Sequence, residues 1–303
     1  MGKVLLYYKY ITIEYPKRIV KWQHKICQEL KLTGRILIGR EGINGTVGGQ
    51  TEAIELYKKI VHHHPLFKDM VFKESAGSAE SFPRLQIKER DEIVRLGIDP
   101  ELIKAEDGGI HLTPEQTHQI LSNPDENVVL FDARNEYEWQ IGAFENAIKP
   151  PIRYFRELPN YIDTNLEQFK DKKVIMYCTG GIRCERASAY LKSKNIAQQV
   201  YQMDGGIHTY IEQYPDGFFK GKNYVFDARI ATKANEVILG TCTLCTTACD
   251  EYTNCLNAAC NNHFICCDAC KQQLQNTCST GCYDLVYVKQ VPQRPQLQTI
   301  KVT

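Results

Sequence analysis

The chain has 303 residues, with 37 lysines and arginines against 36 aspartates and glutamates. That length accommodates two or three domains with cores of their own. No run of about 18 apolar residues occurs, which excludes a membrane-spanning helix.

The near-neutral total hides an asymmetry. Residues 1–90 carry a net charge of +7, residues 91–217 carry −8 and residues 218–303 carry +2. A basic N-terminal domain facing a polyanion is one reading; ordinary scatter between domains is the other. Met1–Lys9 is too short and too interrupted by lysine for a signal peptide, and Gly2 lacks the Ser or Thr of a myristoylation signal. A cytoplasmic protein is expected. Of 13 cysteines, 10 fall between Cys242 and Cys282. In a long chain without an export signal, that crowding favours metal binding or redox chemistry over structural disulfides.

In chain order, Val4–Tyr10 reads as a strand. Pro16 suits a first helical turn, and Ile19, Trp22, Ile26 and Leu30 recur on one helix face. Gly34–Gly39 is a second strand, and Asn44-Gly45 marks a tight turn with Thr46-Val47 returning. Thr51–Val61 places Ala53, Tyr57, Ile60 and Val61 on one helical face, and His62–His64 end that helix. Met70–Lys73 and Leu85–Val94 are strand-like. This order predicts a ferredoxin-like α+β domain over 1–97. Residues 98–112 read as a linker. Thr113-Pro114-Glu115-Gln116 combines an N-cap, a proline at N1 and a capping box. Short strands at Val128–Phe131, Val174–Tyr177 and Gln199–Tyr201 alternate with helices, predicting a parallel α/β sheet with helices on both faces over 110–217. Asn223–Arg229 reads as one more strand before a small cysteine-rich domain over 218–290. The tail from Pro292 to Thr303 reads as mobile.

Cys178-Thr179-Gly180-Gly181-Ile182-Arg183 leaves a buried strand and enters a helix. Loop amides and a fixed cation would lower the Cys178 pKa and make a nucleophilic thiolate. The loop resembles the active loop of the rhodanese superfamily. Asp132-Ala133-Arg134, Gly142–Ala147 and Asp204-Gly205-Gly206-Ile207 resemble other motifs of that superfamily, although Ala143 stands where a histidine is frequent. A rhodanese-like fold is implied. The Cys-x4-Arg spacing is one residue shorter than the Cys-x5-Arg of related phosphatases and suits a thiolate or persulfide better than a phosphoryl group. Cys178 and Arg183 are the candidate catalytic residues, with Asp132 and Arg134 a structural ion pair beside the loop. Cys184 reads as a buried core thiol, or as a group that resolves an oxidised Cys178.

A wider resemblance covers about residues 3–285. Arg40-Glu41-Gly42-Ile43-Asn44-Gly45-Thr46-Val47, Lys88–Val94, Tyr224–Arg229 and the terminal cysteine pattern are similar, in that order, to the bacterial tRNA uridine hydroxylase family. The resemblance implies oxygen-dependent hydroxylation of the wobble uridine to 5-hydroxyuridine, with O2 and an unidentified electron donor. No nicotinamide or flavin motif is present. The tRNA anticodon loop is the expected partner, and Arg35, Arg40, Lys58, Lys59, Arg84 and Arg90 are candidate phosphate contacts. Cys242, Cys245, Cys267 and Cys270 have zinc-ribbon spacing, and Cys255, Cys260, Cys278 and Cys282 form a possible second set. Structural zinc, disulfides, reduced thiols and an iron–sulfur cluster stay open here. A rhodanese-type sulfurtransferase carrying a persulfide on Cys178 is the alternative activity, and a non-catalytic binding module is a third reading.

Overall fold

The computed structural model describes residues 2–123 and 125–295. The expectation for residues 296–303 lies outside the described residues. The N-terminal domain runs β1 (Gly2–Tyr10), α1 (Pro16–Glu29), β2 (Thr33–Gly39), β3 (Gly42–Gln50), α2 (Thr51–His63), β4 (Phe72–Gly77) and β5 (Leu85–Glu89). Its five-stranded sheet has the order β4-β1-β3-β2-β5, antiparallel except for the β2–β5 pair. Helix α1 starts at Pro16 and buries Ile19 and Ile26, with Trp22 and Leu30 partly covered. Helix α2 buries Ile54, Tyr57 and Val61.

The expected turn at Asn44-Gly45 is corrected. Both residues lie within β3, and Arg40-Glu41 makes the two-residue connection, with Gly39 paired to Gly42. Gly42 takes φ +149°, which frees the turn from a side chain. Gly45 is small for a different reason: the Tyr7 ring occupies the space a Cβ would need. The strand expected through Val94 stops at Glu89, because beyond it the Glu92 carboxylate accepts the Leu96 and Gly97 N–H groups and replaces ladder partners.

The middle domain comprises β6 (Ile110–Leu112), α3 (Pro114–Ser122), β7 (Val128–Asp132), α4 (Glu136–Trp139), β8 (Gly142–Phe144), α5 (Leu158–Thr164), β9 (Lys173–Tyr177), α6 (Ile182–Ser193), β10 (Gln199–Met203) and α7 (Gly206–Gln213). Strands β6-β10-β9-β7 form a parallel sheet. The end of the expected linker thus becomes an edge strand. Val174 and Met176 face one core and Ile175 and Tyr177 the other, as expected of a strand covered on both faces. The capping box of α3 forms, with Gln116 N–H donating to Thr113 Oγ1 at 3.1 Å and Thr113 N–H to Gln116 Oε1 at 2.9 Å.

The last region contains β11 (Phe219–Tyr224), β12 (Ala231–Lys233), β13 (Tyr252–Asn254), β14 (His263–Ile265), α8 (Asp268–Gln273) and α9 (Thr280–Tyr287). Strand β11 begins earlier than predicted and pairs with β8 of the middle domain. It ends at Tyr224 because Asp227 and Arg229 bind each other instead, with Arg229 N–H also on Asp227 Oδ1. Residues 292–294 are docked: Ala258 N–H donates to the Pro292 carbonyl and Arg294 N–H to the Leu256 carbonyl. Among the described residues no helix is long and apolar enough to cross a membrane.

Candidate active site

Cys178 follows β9, and Asp132 and Asp204 stand at the same carboxyl edge on and after the flanking strands β7 and β10. Open parallel sheets present their ligand crevices there. The loop Cys178–Gly181 turns back through Gly181, at φ +99°, into α6. Gly181 N–H donates to Cys178 Sγ at 3.1 Å. The start of α7 fixes the loop from behind, with Ile207 N–H on the Cys178 carbonyl at 2.9 Å and His208 N–H on the Thr179 carbonyl at 3.0 Å. Gly206, at φ +65°, must lack a side chain, since a Cβ would strike the Cys178 carbonyl and the Gly180 and Gly181 nitrogens. The double glycine of 204–207 is therefore part of the cradle.

Cys178 is wholly buried. Burial pushes its thiol up, but a hydrogen bond from Cys184, the Arg183 charge and the N–H groups of Arg183 and Gly180 bring it down to about 5. Burial, the neighbouring Cys178 sulfur and its charge push the Cys184 thiol well above its ordinary value.

The Arg183 guanidinium does not point at the sulfur. It makes a bidentate pair with buried Glu138, at 2.5 and 2.7 Å, and reaches Thr179 Oγ1 at 3.2 Å. Thr179 in turn donates to Glu138 at 3.1 Å. Glu138 thereby cancels much of the cation that the motif places beside Cys178. Its carboxyl feels burial as an upward push, yet Arg183 outweighs this and holds it below the usual carboxylate range. Asp132 and Arg134 form a separate, fully buried pair, with Arg134 Nη2 at 2.7 Å from Asp132 and 2.6 Å from the Gly142 carbonyl. That pair ties β7 to β8.

A second cation comes from the other domain. Lys73 of β4 donates to the Gly180 carbonyl and, at 3.1 Å, to the Gly205 carbonyl. Its ammonium lies 5.6 Å from the Tyr8 ring centre. Leu6 stands against Gly180, the Tyr8 hydroxyl stands against Gly181 and donates to Glu185 at 3.0 Å, and the Tyr10 hydroxyl reaches the Ile182 carbonyl at 3.4 Å. The N-terminal sheet thus roofs the glycine side of the loop. Sequence reading missed Glu138, Lys73, Tyr8 and the clamping role of Gly206. Only the capping position of Glu138, three residues after Asn135, was visible beforehand.

The motif blocks outside the loop prove to be joints between domains. Glu41 accepts the Ile93 N–H at 2.6 Å, and Asn44 Nδ2 donates to the Ile93 carbonyl at 2.8 Å. Glu92 takes the fully buried Arg186 at 2.6 Å, and Arg186 also donates to the Ile98 and Ile103 carbonyls. Arg229 reaches Ser75 and the Ala76 carbonyl at 2.8 Å.

The six candidate phosphate contacts are not gathered. Lys58 and Lys59 lie on α2, where Lys58 is already paired with Glu55 and Glu74. Arg35 is exposed on β2, opposite Gln86 of β5, and Arg84 is exposed just before β5. Arg40 and Arg90 border a cleft with more carboxylates than cations, among them Glu41, Glu89, Asp91 and Glu92.

The cysteine region resolves into two sets of four, Cys242, Cys245, Cys267 and Cys270, and Cys255, Cys260, Cys278 and Cys282, each with sulfurs within 4.8 Å of one another. None of the 13 cysteines is joined to another in a disulfide. The Cys245–Cys267 and Cys260–Cys278 separations are 3.6 Å, and Cys278–Cys282 is 3.8 Å. A tetrahedral ion with bonds of about 2.3 Å sets its ligands about 3.8 Å apart. The spacing therefore fits a metal and is far too long for disulfides.

Comparison with known proteins matches residues 2–93 to the UPF0176 acylphosphatase like domain, residues 113–213 to the Rhodanese-like domain and residues 220–283 to the Rhodanase C-terminal family. A protein of Corynebacterium jeikeium named tRNA uridine(34) hydroxylase is 42 % identical over 276 residues, spanning 88 % of this chain and 89 % of its own. One of the same name from Corynebacterium aurimucosum is 42 % identical over 289 residues, with 91 % and 93 % covered. Another from Listeria monocytogenes serotype 4a is 41 % identical over 285 residues, with 92 % and 88 % covered. With all three domains present in order and the similarity extending over nearly the whole of each relative, the chain belongs to the tRNA uridine(34) hydroxylase family.

Proposed function

We propose that the chain hydroxylates the wobble uridine of tRNA at C5, with Cys178 as the essential thiol. The observation that carries the reading is a buried thiolate in a cradle of amides, in a chain aligned nearly end to end with relatives of that name. Uracil C5 has no leaving group, and addition at C6 activates it. The Cys178 sulfur forms a bond to C6, and the ring electron pair moves toward C5 and O4. O2 then supplies one oxygen atom to C5. The other leaves as water, with two electrons from an external donor and two protons. Loss of the C5 proton expels the thiolate.

In this scheme the loop N–H groups hold charge on the sulfur. Arg183 acts mainly through Glu138 and Thr179 to shape the loop, and Lys73 is the cation that closes it from the N-terminal domain. Asp132 and Arg134 hold the sheet edge. The two cysteine sets hold structural zinc, which staples a region with little apolar core. Acting on tRNA, the protein works in the cytoplasm.

Cys178→Ser tests the reading. Mass spectrometry of tRNA nucleosides should show 5-hydroxyuridine with the wild-type chain and none with the variant. Undiminished product would end the thiol mechanism. Thiosulfate turnover by a chain that leaves tRNA nucleosides unchanged would instead establish the sulfurtransferase.

A further inference from the structure

The Cys178 loop is covered unevenly. Leu6, Tyr8 and Lys73 close its glycine side. On the other side Thr179 and Arg183 keep 8 % and 6 % of their surface exposed, while Cys178 keeps none. Thr179 and Arg183, held together by Glu138, mark the side of the loop away from the N-terminal sheet. Phe226 stands there, 58 % exposed, with the Arg183 guanidinium carbon 5.8 Å from its ring centre.

Phe226 opens a run of rings. Tyr224 lies 5.3 Å from it, and Tyr137 lies 5.1 Å from Tyr224. Tyr137, Tyr154 and Tyr224 line a cleft of about 670 Å³ between the middle and cysteine-rich regions. Tyr154 is 45 % exposed, and the guanidiniums of Arg153 and Arg156 lie 5.6 and 4.7 Å from its ring centre. Asn254, Asn261 and Asn262 supply polar edges. Of the acids there, Asp227 is neutralised by Arg229 at 2.5 Å, which leaves Glu136.

Exposed rings of this size next to a site mark a contact surface. Rings interleaved with arginines suit one ligand chemistry above others. Unpaired bases stack on the ring faces, and guanidiniums take the phosphates between them. A paired duplex cannot use the rings, because its bases are already stacked.

We propose that this cleft, with Phe226 and Arg156 at its edge beside the lining Tyr224 and Tyr154, is the stacking subsite for the unpaired anticodon-loop nucleotides that flank the target uridine. Phe226 and Tyr154 supply the stacking faces, and Arg153 and Arg156 the phosphate contacts. The proposal rests on the hydroxylase reading for the identity of the RNA. It moves the RNA contact from the scattered basic residues of the N-terminal domain to the mouth of the Cys178 loop.

The test uses the full chain with Phe226→Ala, Tyr154→Ala, the ring-keeping Phe226→Tyr and Tyr154→Phe, and Arg153→Ala with Arg156→Ala. The probes are an anticodon stem–loop RNA and an RNA duplex of equal length. Each alanine variant should weaken stem–loop binding by roughly 5- to 150-fold, the worth of one stacked base, and raise KM for tRNA. The ring-keeping variants should stay near wild type, and duplex binding should not change with either ring. The arginine pair should flatten the salt dependence of binding. A wild-type chain that makes 5-hydroxyuridine while both alanine variants bind and turn over as it does overturns the subsite and leaves the hydroxylase standing. Loss of stem–loop binding in the alanine variants of a chain that makes no 5-hydroxyuridine supports the subsite and removes the hydroxylase.

Discussion

Replacing Glu138 with glutamine tests what holds the Cys178 loop in shape. The carboxylate takes both terminal nitrogens of Arg183 at 2.5 and 2.7 Å, the Thr179 hydroxyl at 3.1 Å and the Asn135 N–H at 3.1 Å. Glutamine keeps the volume, removes the charge and turns a donor toward Arg183. Breaking a buried pair from one side costs about 3–5 kcal/mol. One compensation exists, because the next anion facing Arg183 is the Cys178 thiolate. The cost of Glu138→Gln therefore depends on the charge of Cys178. In a Cys178→Ser background it should rise by about 0.5–3 kcal/mol, the usual coupling between contacting charges.

Trp139 gives the assay. Its indole donates to the Pro150 carbonyl at 3.0 Å, one residue from Glu138, and Trp22 is the other tryptophan. In a Trp22→Phe background, Trp139 fluorescence reports the middle domain alone. With a slope of about 1–3 kcal/mol per molar urea, the midpoint should fall by roughly 1–5 M. The acid limb should change as well. The folded Glu138 carboxyl lies below its unfolded value, so its stabilisation is complete above about pH 4.5 and is lost as pH falls through the lower folded value. Glu138→Gln should lack that limb. An unchanged midpoint, or an equal cost with and without the Cys178 sulfur, refutes Glu138 as the group that holds Arg183.

Four further outcomes are expected. The Cys178 thiol sits at about 5 when folded against about 9 when unfolded, so its stabilisation is complete above pH 9 and lost as pH falls through 5; wild type compared with Cys178→Ser should show that slope in urea midpoints, and a constant difference would contradict it. Hydrogen bonds to charged groups contribute about 1.5–3 kcal/mol, so Cys184→Ala should move the Cys178 midpoint from about 5 to about 6 or 7, followed by ultraviolet thiolate absorbance, while Cys184→Ser stays closer to wild type. Elemental analysis should find two zinc ions per chain, one for each cysteine set. Cys245→Ser should lose one of them, and a metal-free chain indifferent to chelators would exclude the zinc assignment. Lys73→Met leaves the Gly180 and Gly205 carbonyls without their shared donor, at about 1–3 kcal/mol each. It should lower turnover of tRNA and raise the Cys178 midpoint, and wild-type behaviour in both would remove Lys73 from the site.

The active loop was legible because everything that announces it is contiguous. A strand, Cys178, two glycines, Arg183 and a helix occupy fifteen consecutive residues from Lys173 to Ala187, and the local chemistry of a thiolate on amides follows from that order. The cysteine sets were legible for a similar reason, since the Cys-x2-Cys pairs at 242–245 and 267–270 have a ligand spacing in themselves. The hairpin was misplaced because Asn44-Gly45 carries the usual turn signal, while the residue that demanded Gly45 was the Tyr7 ring on a neighbouring strand. The basic N-terminal domain pointed to phosphate contacts by its net charge, but charge counts do not show that Lys58 is already paired or that Arg40 and Arg90 stand among carboxylates.

The sequence by itself determined the domain order, the parallel sheet and the place of the candidate nucleophile, since periodicity, capping and loop spacing are properties of neighbouring residues. Only the tertiary structure decided what surrounds that nucleophile. Glu138 takes the charge of Arg183, Gly206 presses on the loop from α7, and Lys73 and Tyr8 reach it from another domain. Such contacts join residues tens to more than a hundred positions apart, such as Lys73 and Gly180. They are selected by burial, where an unpaired charge or an unmet carbonyl is too costly to leave, and a buried partner leaves no periodic mark in the chain.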